Sequence, residues 1–296
     1  MGDALLAPRT LGALTSEMAR VLTPTFGAES ENEARELLAA LHDMPRHWPL
    51  LERSTVMTAD SWTRALAAAS RRARGAPLQY AAGRAAFRHL TLDVDERVLI
   101  PRPETEQLVE LVLELTADRA GGTVVDVGTG SGAIALALAS EGRFEHVIAT
   151  DVSLDALDVA RGNLRRCAEV LRALVSLRHG SLLGPVSERG LRAVVSNPPY
   201  IAFDEAPALP SAVRNWEPAV ALFSGADGMA VTARLVRDAS AALAAGGVLA
   251  VEVDARRAGV AAELVASAGR YEDVRVLLDL TGRERFVVAR RREEQE

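Results

Sequence analysis

A chain of 296 residues with 49% hydrophobic and 25% charged side chains has enough apolar surface for a real core, which excludes disorder as the main state and suits one large domain plus a smaller one. All 34 basic residues are arginine, which excludes mechanisms built on a Schiff-base or P-loop lysine, and the net charge of −6 argues against wrapping nucleic acid over the whole surface. A single cysteine, Cys167, and scattered histidines leave no metal-ligand spacing, so no metal is expected.

The first residues lack the charged and apolar regions of a secretory signal, and Leu6 stands where a myristoylation signal wants Ser or Thr. With no apolar run of membrane-spanning length, a cytoplasmic protein without membrane partners is expected.

Residues 1–83 read as a small helical bundle. Thr10 caps a first helix carrying Leu11, Leu14, Met18 and Leu22, with Pro24 closing it. Ser30 opens a second with Glu33 as its capping-box partner, and Thr58 or Asp60 starts a third that ends near Gly75. The basic stretch Arg64, Arg71, Arg72, Arg74, Arg84 and Arg88 is by default a solvated face, and its sharper reading is a dock for a large partner.

Over residues 84–102 the apolar period shortens to two. Leu90, Leu92 and Val94 alternate, Asp95-Glu96 turn, and Val98 and Ile100 resume, which predicts a β-hairpin linker. From 103 to 296, helices alternate with seven apolar strands, 123–127, 146–152, 175–178, 193–196, 248–253, 273–278 and 285–289. That pattern predicts an α/β, doubly wound, mostly parallel sheet. Only the last two strands are joined by a short link, Leu280-Thr281-Gly282-Arg283-Glu284, with no helix, so the last should run antiparallel, and the tail from Arg290 should fray.

Strand 123–127 runs into Gly128-Thr129-Gly130-Ser131-Gly132 and an apolar helix, a backbone arrangement that lets a ligand approach closely. Residues 128–133 also satisfy the dinucleotide fingerprint, and Asp151, at the end of the next strand, would bind ribose hydroxyls in either case. Asp126, just before the glycines, suits the cationic amino group of S-adenosylmethionine better than a pyrophosphate.

Strand 193–196 ends in Asn197-Pro198-Pro199-Tyr200, at the end of the sheet where ligands bind. A planar amide or amino-heterocycle nitrogen is a poor nucleophile because its lone pair is delocalised. The Asn197 side-chain oxygen and the Pro198 carbonyl can each accept one of its N–H bonds, orienting the nitrogen and stabilising the charge that develops on it. The paired prolines stiffen that carbonyl, and Tyr200 offers a flat face for stacking.

With Ile100-Pro101-Arg102-Pro103-Glu104-Thr105-Glu106, Glu217-Pro218, Asp227-Gly228 and Gly282-Arg283-Glu284-Arg285, the Asn-Pro-Pro-Tyr motif resembles the HemK/PrmC family of release-factor glutamine N5-methyltransferases. The resemblance implies a class I S-adenosylmethionine-dependent, Rossmann-like methyltransferase. It implies methyl transfer to the glutamine of the Gly-Gly-Gln loop of class 1 peptide-chain release factors, leaving S-adenosylhomocysteine. A monomer is expected, and the negative charge of the catalytic portion argues against a direct nucleic-acid substrate. By that resemblance Asp126, Gly128–Gly132, Asp151, Leu182 and Asn197 hold the cofactor, and Arg102, Glu106 and Asn197–Tyr200 hold the substrate. The chain departs from the family at Ser181, at Phe87-Arg88-His89 and at 253–256. The rival readings are an N6-adenine methyltransferase of nucleic acid, a cofactor-binding paralogue without catalysis, and a dehydrogenase.

Overall fold

The computed structural model describes residues 9–293, so the readings on the first eight residues and the last three of the tail lie outside it. Two compact units divide the chain, residues 1–85 and 86–296.

In the first unit α1 (Leu11–Phe26), α2 (Ser30–His42), α3 (Trp48–Leu51), α4 (Ala59–Ala73) and α5 (Leu78–Ala82) form the bundle. Its core is the sequence stripe itself, with Leu11, Leu14, Met18, Leu22, Leu37, Leu38 and Ala69 fully buried. Thr10 and Thr58 cap α1 and α4 by accepting the N–H groups of Ala13 and Ser61. Pro24 does not close α1: it lies in the final turn, and the chain leaves at Gly27, whose φ is +51°. Nor does Glu33 form a capping box. It accepts from Arg72 Nε at 2.9 Å, and that guanidinium stacks over Phe26.

β1 (Arg84–Phe87) and β2 (Leu90–Asp93) form a two-stranded ribbon. Its turn is Arg88-His89 rather than Asp95-Glu96, and Arg88 takes the left-handed region at φ +53°. Three carboxylates hold that backbone: Arg88 N donates to Glu106, and its guanidinium donates to Glu110 and Glu141, each at 2.6 Å. Val98 and Ile100 are buried, but in loop rather than strand.

The large unit continues with α6 (Pro103–Leu115), β3 (Thr123–Val127), α7 (Ala133–Glu141), β4 (His146–Asp151), α8 (Leu154–Arg166), β5 (Leu174–His179) and β6 (Leu191–Ser196). After them come α9 (Ser211–Trp216), α10 (Ala219–Leu222), α11 (Ala230–Ala242), β7 (Leu243–Glu252), α12 (Ala258–Ser267), β8 (Tyr271–Leu278) and β9 (Glu284–Arg291). Seven strands make one sheet in the order β5-β4-β3-β6-β7-β9-β8. β5, β4, β3, β6 and β7 are parallel, and β9 runs antiparallel to both its neighbours. Arg290 and Arg291 belong to β9, with the Arg290 guanidinium donating to Leu115 O and Gly246 O, so the chain is still in strand where the tail was expected to fray.

Alternate residues of the central strands feed two cores. Val124, Val147 and Val195 pack with Leu108, Val112 and Leu138 on one face, and Val125, Ile148 and Val194 pack with Leu235 and Val236 on the other. The order reverses between β3 and β6, so the loops leaving those strands face one crevice. Among the described residues no helix is long and apolar enough to cross a membrane.

Candidate active site

The crevice holds a cavity of about 420 Å³, into which the loops after β3, β4 and β6 deliver Gly128, Gly130, Asp151, Asn197, Pro198 and Pro199. Gly128 and Gly130 have φ of +75° and +53°, and a side chain at either would meet no protein atom within 4 Å. Glycine is needed here for its backbone conformation, and it leaves the peptide groups uncovered. The N–H groups of Gly128 and Thr129 both donate to Thr150 O at 2.9 Å, which fixes the loop on β4.

Asp151 accepts from Gly130 N through Oδ2 and from Ser153 N through Oδ1, both at 2.9 Å. A carboxylate oxygen has two lone pairs, so each keeps one for a ligand. Leu182 also lines this cavity, held at φ +51° while its carbonyl accepts the Thr150 hydroxyl. Val152, Ala156 and Phe223 complete its apolar wall, and none of them stands in a motif.

The remaining loop residues support the cavity and do not line it. Asp126 is fully buried. Its Oδ2 accepts the Thr129 hydroxyl at 2.6 Å and Ala135 N at 3.1 Å, while Oδ1 has no partner. Burial pushes its carboxyl up to about 7. Asp126 therefore lines neither cavity and lies beneath the loop. Ser131 is buried with its carbonyl taken by Asn163 Nδ2, and Gly132 caps α7 at φ +86°.

A stability prediction follows from that buried carboxylate. Its folded-state value lies above the ordinary 3.8, so ionising it in the folded protein costs stability as pH rises from about 4 through about 7. Asp126→Asn removes that cost. In calorimetric melts of the unliganded protein the variant should be the more stable at pH 8, with the difference shrinking towards pH 5. A constant difference across that range would show that Asp126 carries no such penalty.

Asn197 sits where the end of β6 meets α6. Ser196 Oγ donates to Val127 O at 2.7 Å, closing β6 onto β3. Asn197 Nδ2 donates to Thr105 Oγ1 at 3.1 Å, and that hydroxyl donates to Glu252 Oε2 at 2.7 Å. Beyond Asn197 lies a second cavity of about 360 Å³, lined by Tyr200, Arg102 and Ile201 among others. Leu99, Asn197 and Ala221 line both cavities, so the Asn197 amide stands at their junction. Burial pushes the Tyr200 hydroxyl up to about 12, so it stays protonated.

The segment leaving the motif is pinned from outside it. Ile201 N donates to Leu222 O, and Ser224 N donates to Ile201 O, both at 2.9 Å. Gly228, at φ +76°, lies against the tetrapeptide: a Cβ there would stand 2.3 Å from Tyr200 O and 2.5 Å from Arg257 Nε. We expect Gly228→Ala to displace Tyr200 and lower turnover at least tenfold while cofactor affinity, read by calorimetry, holds. Wild-type turnover in that variant would mean that the tetrapeptide tolerates the shift.

The two remaining substrate candidates part company. Arg102 reaches the second cavity, where its guanidinium donates to both oxygens of buried Glu217 at 2.6 and 2.7 Å. Burial raises the Glu217 carboxyl, with Arg102 opposing the rise. Glu106 lines neither cavity and is occupied by the Arg88 turn. Arg102 still has extended backbone just before α6, so the two side chains do not share a helix face despite their spacing.

Two family models match the chain: the methyltransferase small domain over residues 104–209 and the PrmC N-terminal domain over 16–83. The release factor glutamine methyltransferase of Deinococcus radiodurans is 41% identical, covering 94% of this chain and 97% of its own. That of Moorella thermoacetica is 43% identical, covering 77% and 79%. A solved methyltransferase from Pyrococcus furiosus superposes with a TM-score of 0.52 at 18% identity, covering 70% of this chain and 92% of that one, which is a likeness of fold.

Proposed function

The chain belongs to the release factor glutamine methyltransferases, and from that premise we propose that its two cavities divide the reaction, one for the methyl donor and one for the acceptor glutamine. The protein transfers a methyl group from S-adenosylmethionine to the side-chain nitrogen of the glutamine in the Gly-Gly-Gln loop of class 1 release factors. The observation that carries this reading is the Asn197 amide, standing at the wall common to both cavities.

The donor set of the first cavity fits the cofactor. Asp151 keeps two lone pairs for vicinal ribose hydroxyls, Leu182 gives an apolar face for adenine, and the uncovered peptides of Gly128 and Gly130 admit close approach. Asp126, with one orphaned oxygen under the loop, supplies negative potential to a cationic ligand. When bound, the cofactor supplies an electrophilic methyl on a sulfonium. The chain supplies the rest. Asn197 Oδ1 and the Pro198 carbonyl accept the two N–H bonds of the glutamine amide, and Tyr200 flanks it. No base is needed before attack, because the proton can leave the nitrogen after the methyl has been transferred.

A neutral amide suits the second cavity better than a phosphodiester does. Its arginines are already paired, Arg102 with Glu217 and Arg256 with Glu205 and Asp254. We propose further that the protein acts as a cytoplasmic monomer, and that residues 1–83 dock the release factor, with 84–102 as linker and 103–296 as the methyltransferase proper. The test is mass spectrometry of a release factor incubated with the protein and cofactor. One added methyl on the Gly-Gly-Gln glutamine supports the reading, and an unmodified glutamine, with the cofactor shown to bind, overturns it.

A further inference from the structure

Three elements of the large unit bring one side chain each to a single hydrogen-bonded line. Thr105 comes from the first turn of α6, Asn197 from the residue after β6, and Glu252 from the last residue of β7. Ser196 is paired with Val251, so Asn197 and Glu252 leave adjacent strands side by side. Thr105 is 5% exposed and Glu252 is 1% exposed, so no bulk water competes for their bonds.

The direction of the hydrogen bonds follows from chemistry. An ionised carboxylate only accepts, so the Thr105 hydroxyl spends its one proton on Glu252, at 2.7 Å. What Thr105 then offers Asn197, 3.1 Å away, is a lone pair. Only the NH₂ end of the Asn197 amide can meet it. The carbonyl end is thereby turned away from Thr105 and left free to accept.

We propose that Glu252 and Thr105 are positioning residues that set the Asn197 amide with its oxygen towards the acceptor nitrogen. This deepens the proposed reading of Asn197 and rests on it. Were Glu252 protonated, it could donate to Thr105, whose proton would then be free to donate to Asn197. The amide could turn over and present NH₂ to the substrate's own NH₂, donor against donor.

Burial pushes the Glu252 carboxyl up to about 7, so the switch falls in an accessible pH range. The charged groups facing it are Arg285 from β9 and Arg102 before α6, which hold it down, and Glu104 on α6, which raises it further. Asp254 lies two residues on, and Tyr200, from the loop after β6, has its own hydroxyl raised in part by Glu252. Ionised Glu252 is the competent form, so turnover should fall as pH drops below about 7.

The experiment uses the full chain with an intact release factor and cofactor. Cofactor affinity by calorimetry checks that each variant is folded. Thr105→Val, nearly isosteric, should lower kcat about 10- to 100-fold with cofactor affinity unchanged, the scale expected when a reacting pair is misaligned. Thr105→Ser, which keeps the hydroxyl, should restore kcat to within about threefold of wild type, on the same reasoning. Glu252→Gln should abolish the acid limb of the kcat profile. The proposal is overturned if Thr105→Val keeps wild-type kcat, if Thr105→Ser is as impaired as Thr105→Val, or if the acid limb survives in Glu252→Gln. If Glu252→Gln fails to bind cofactor, the valine and serine pair decides alone. Failure of the underlying reading looks different: Asn197→Ala would then keep wild-type kcat, or the wild-type protein would leave the glutamine unmethylated.

Discussion

Replacing Asn197 with alanine should cut turnover on an intact release factor by about 10²–10³ while leaving cofactor affinity close to wild type. In the proposed reading the side chain contributes one of two acceptors for the substrate NH₂, and the charge they stabilise appears only as the methyl is transferred. An interaction that grows in the transition state shows in kcat far more than in binding. The amide is anchored at its other end by Thr105, so its position is set before substrate arrives and the bond costs little reorganisation. Ser196 and the Ile201 bonds do not depend on this side chain, so the loop should keep its path in the variant. Single-turnover kinetics at saturating cofactor would check it. A variant within threefold of wild type would leave the Pro198 carbonyl and Tyr200 to do the work without Asn197.

How much of this was legible beforehand differs between sheet and site. The β3 and β4 runs, Thr123–Val127 and His146–Asp151, are short stretches rich in β-branched residues and bounded by turn residues, and the sequence pattern places their ends to within one residue. The hairpin was misplaced because its turn residue is an arginine. Nothing in Phe87-Arg88-His89 advertises a left-handed residue, whereas Asp95-Glu96 resembles a turn, and the carboxylates holding Arg88 come from positions 106, 110 and 141. α8 stops at Arg166, and Leu174 is already paired with His146, so β5 begins one residue before the expected strand 175–178.

Within the site, motif residues were readable and walls were not. Gly128, Gly130, Asp151 and Asn197 each carry a local signature, and all four line the first cavity. The loop of Asp126 was readable and its depth beneath that loop was not. Strand alternation carries the signal: Asp126 shares a face with Val124, which packs in the core beneath α7, while Val127 faces the other way and lines the cavity. Leu99 and Phe223 come from distant segments and have no motif of their own, so only the folded chain identifies them. Thr105 and Glu252 are 147 residues apart and meet only because α6 packs on the sheet at β7.

Asp151→Ala should weaken cofactor binding by at least about a hundredfold, far more than Asp151→Glu or Cys167→Ala. In the proposed reading two ribose hydroxyls donate to the carboxylate; each such bond is charge-assisted and worth about 1.5–3 kcal/mol, so losing two costs about 3–6 kcal/mol. The same oxygens also accept Gly130 N and Ser153 N, so alanine leaves both donors without their partner and loosens the loop beside the cofactor. Asparagine is no gentle substitute, because its NH₂ must face one of those two N–H groups. Glutamate keeps the charge at the cost of one added methylene, which shifts the oxygens without removing them. Cys167 is a buried thiol at the end of α8, so its alanine variant measures the background effect of a small packing loss away from the cavity. Isothermal calorimetry with S-adenosylmethionine and with S-adenosylhomocysteine would separate a ribose contact of Asp151 from an action of its charge on the sulfonium. Both ligands carry the ribose, and only the first carries the sulfonium charge. A loss equal for the two assigns Asp151 to the ribose, a loss confined to S-adenosylmethionine assigns it to the sulfonium, and wild-type affinity for both removes it from the site.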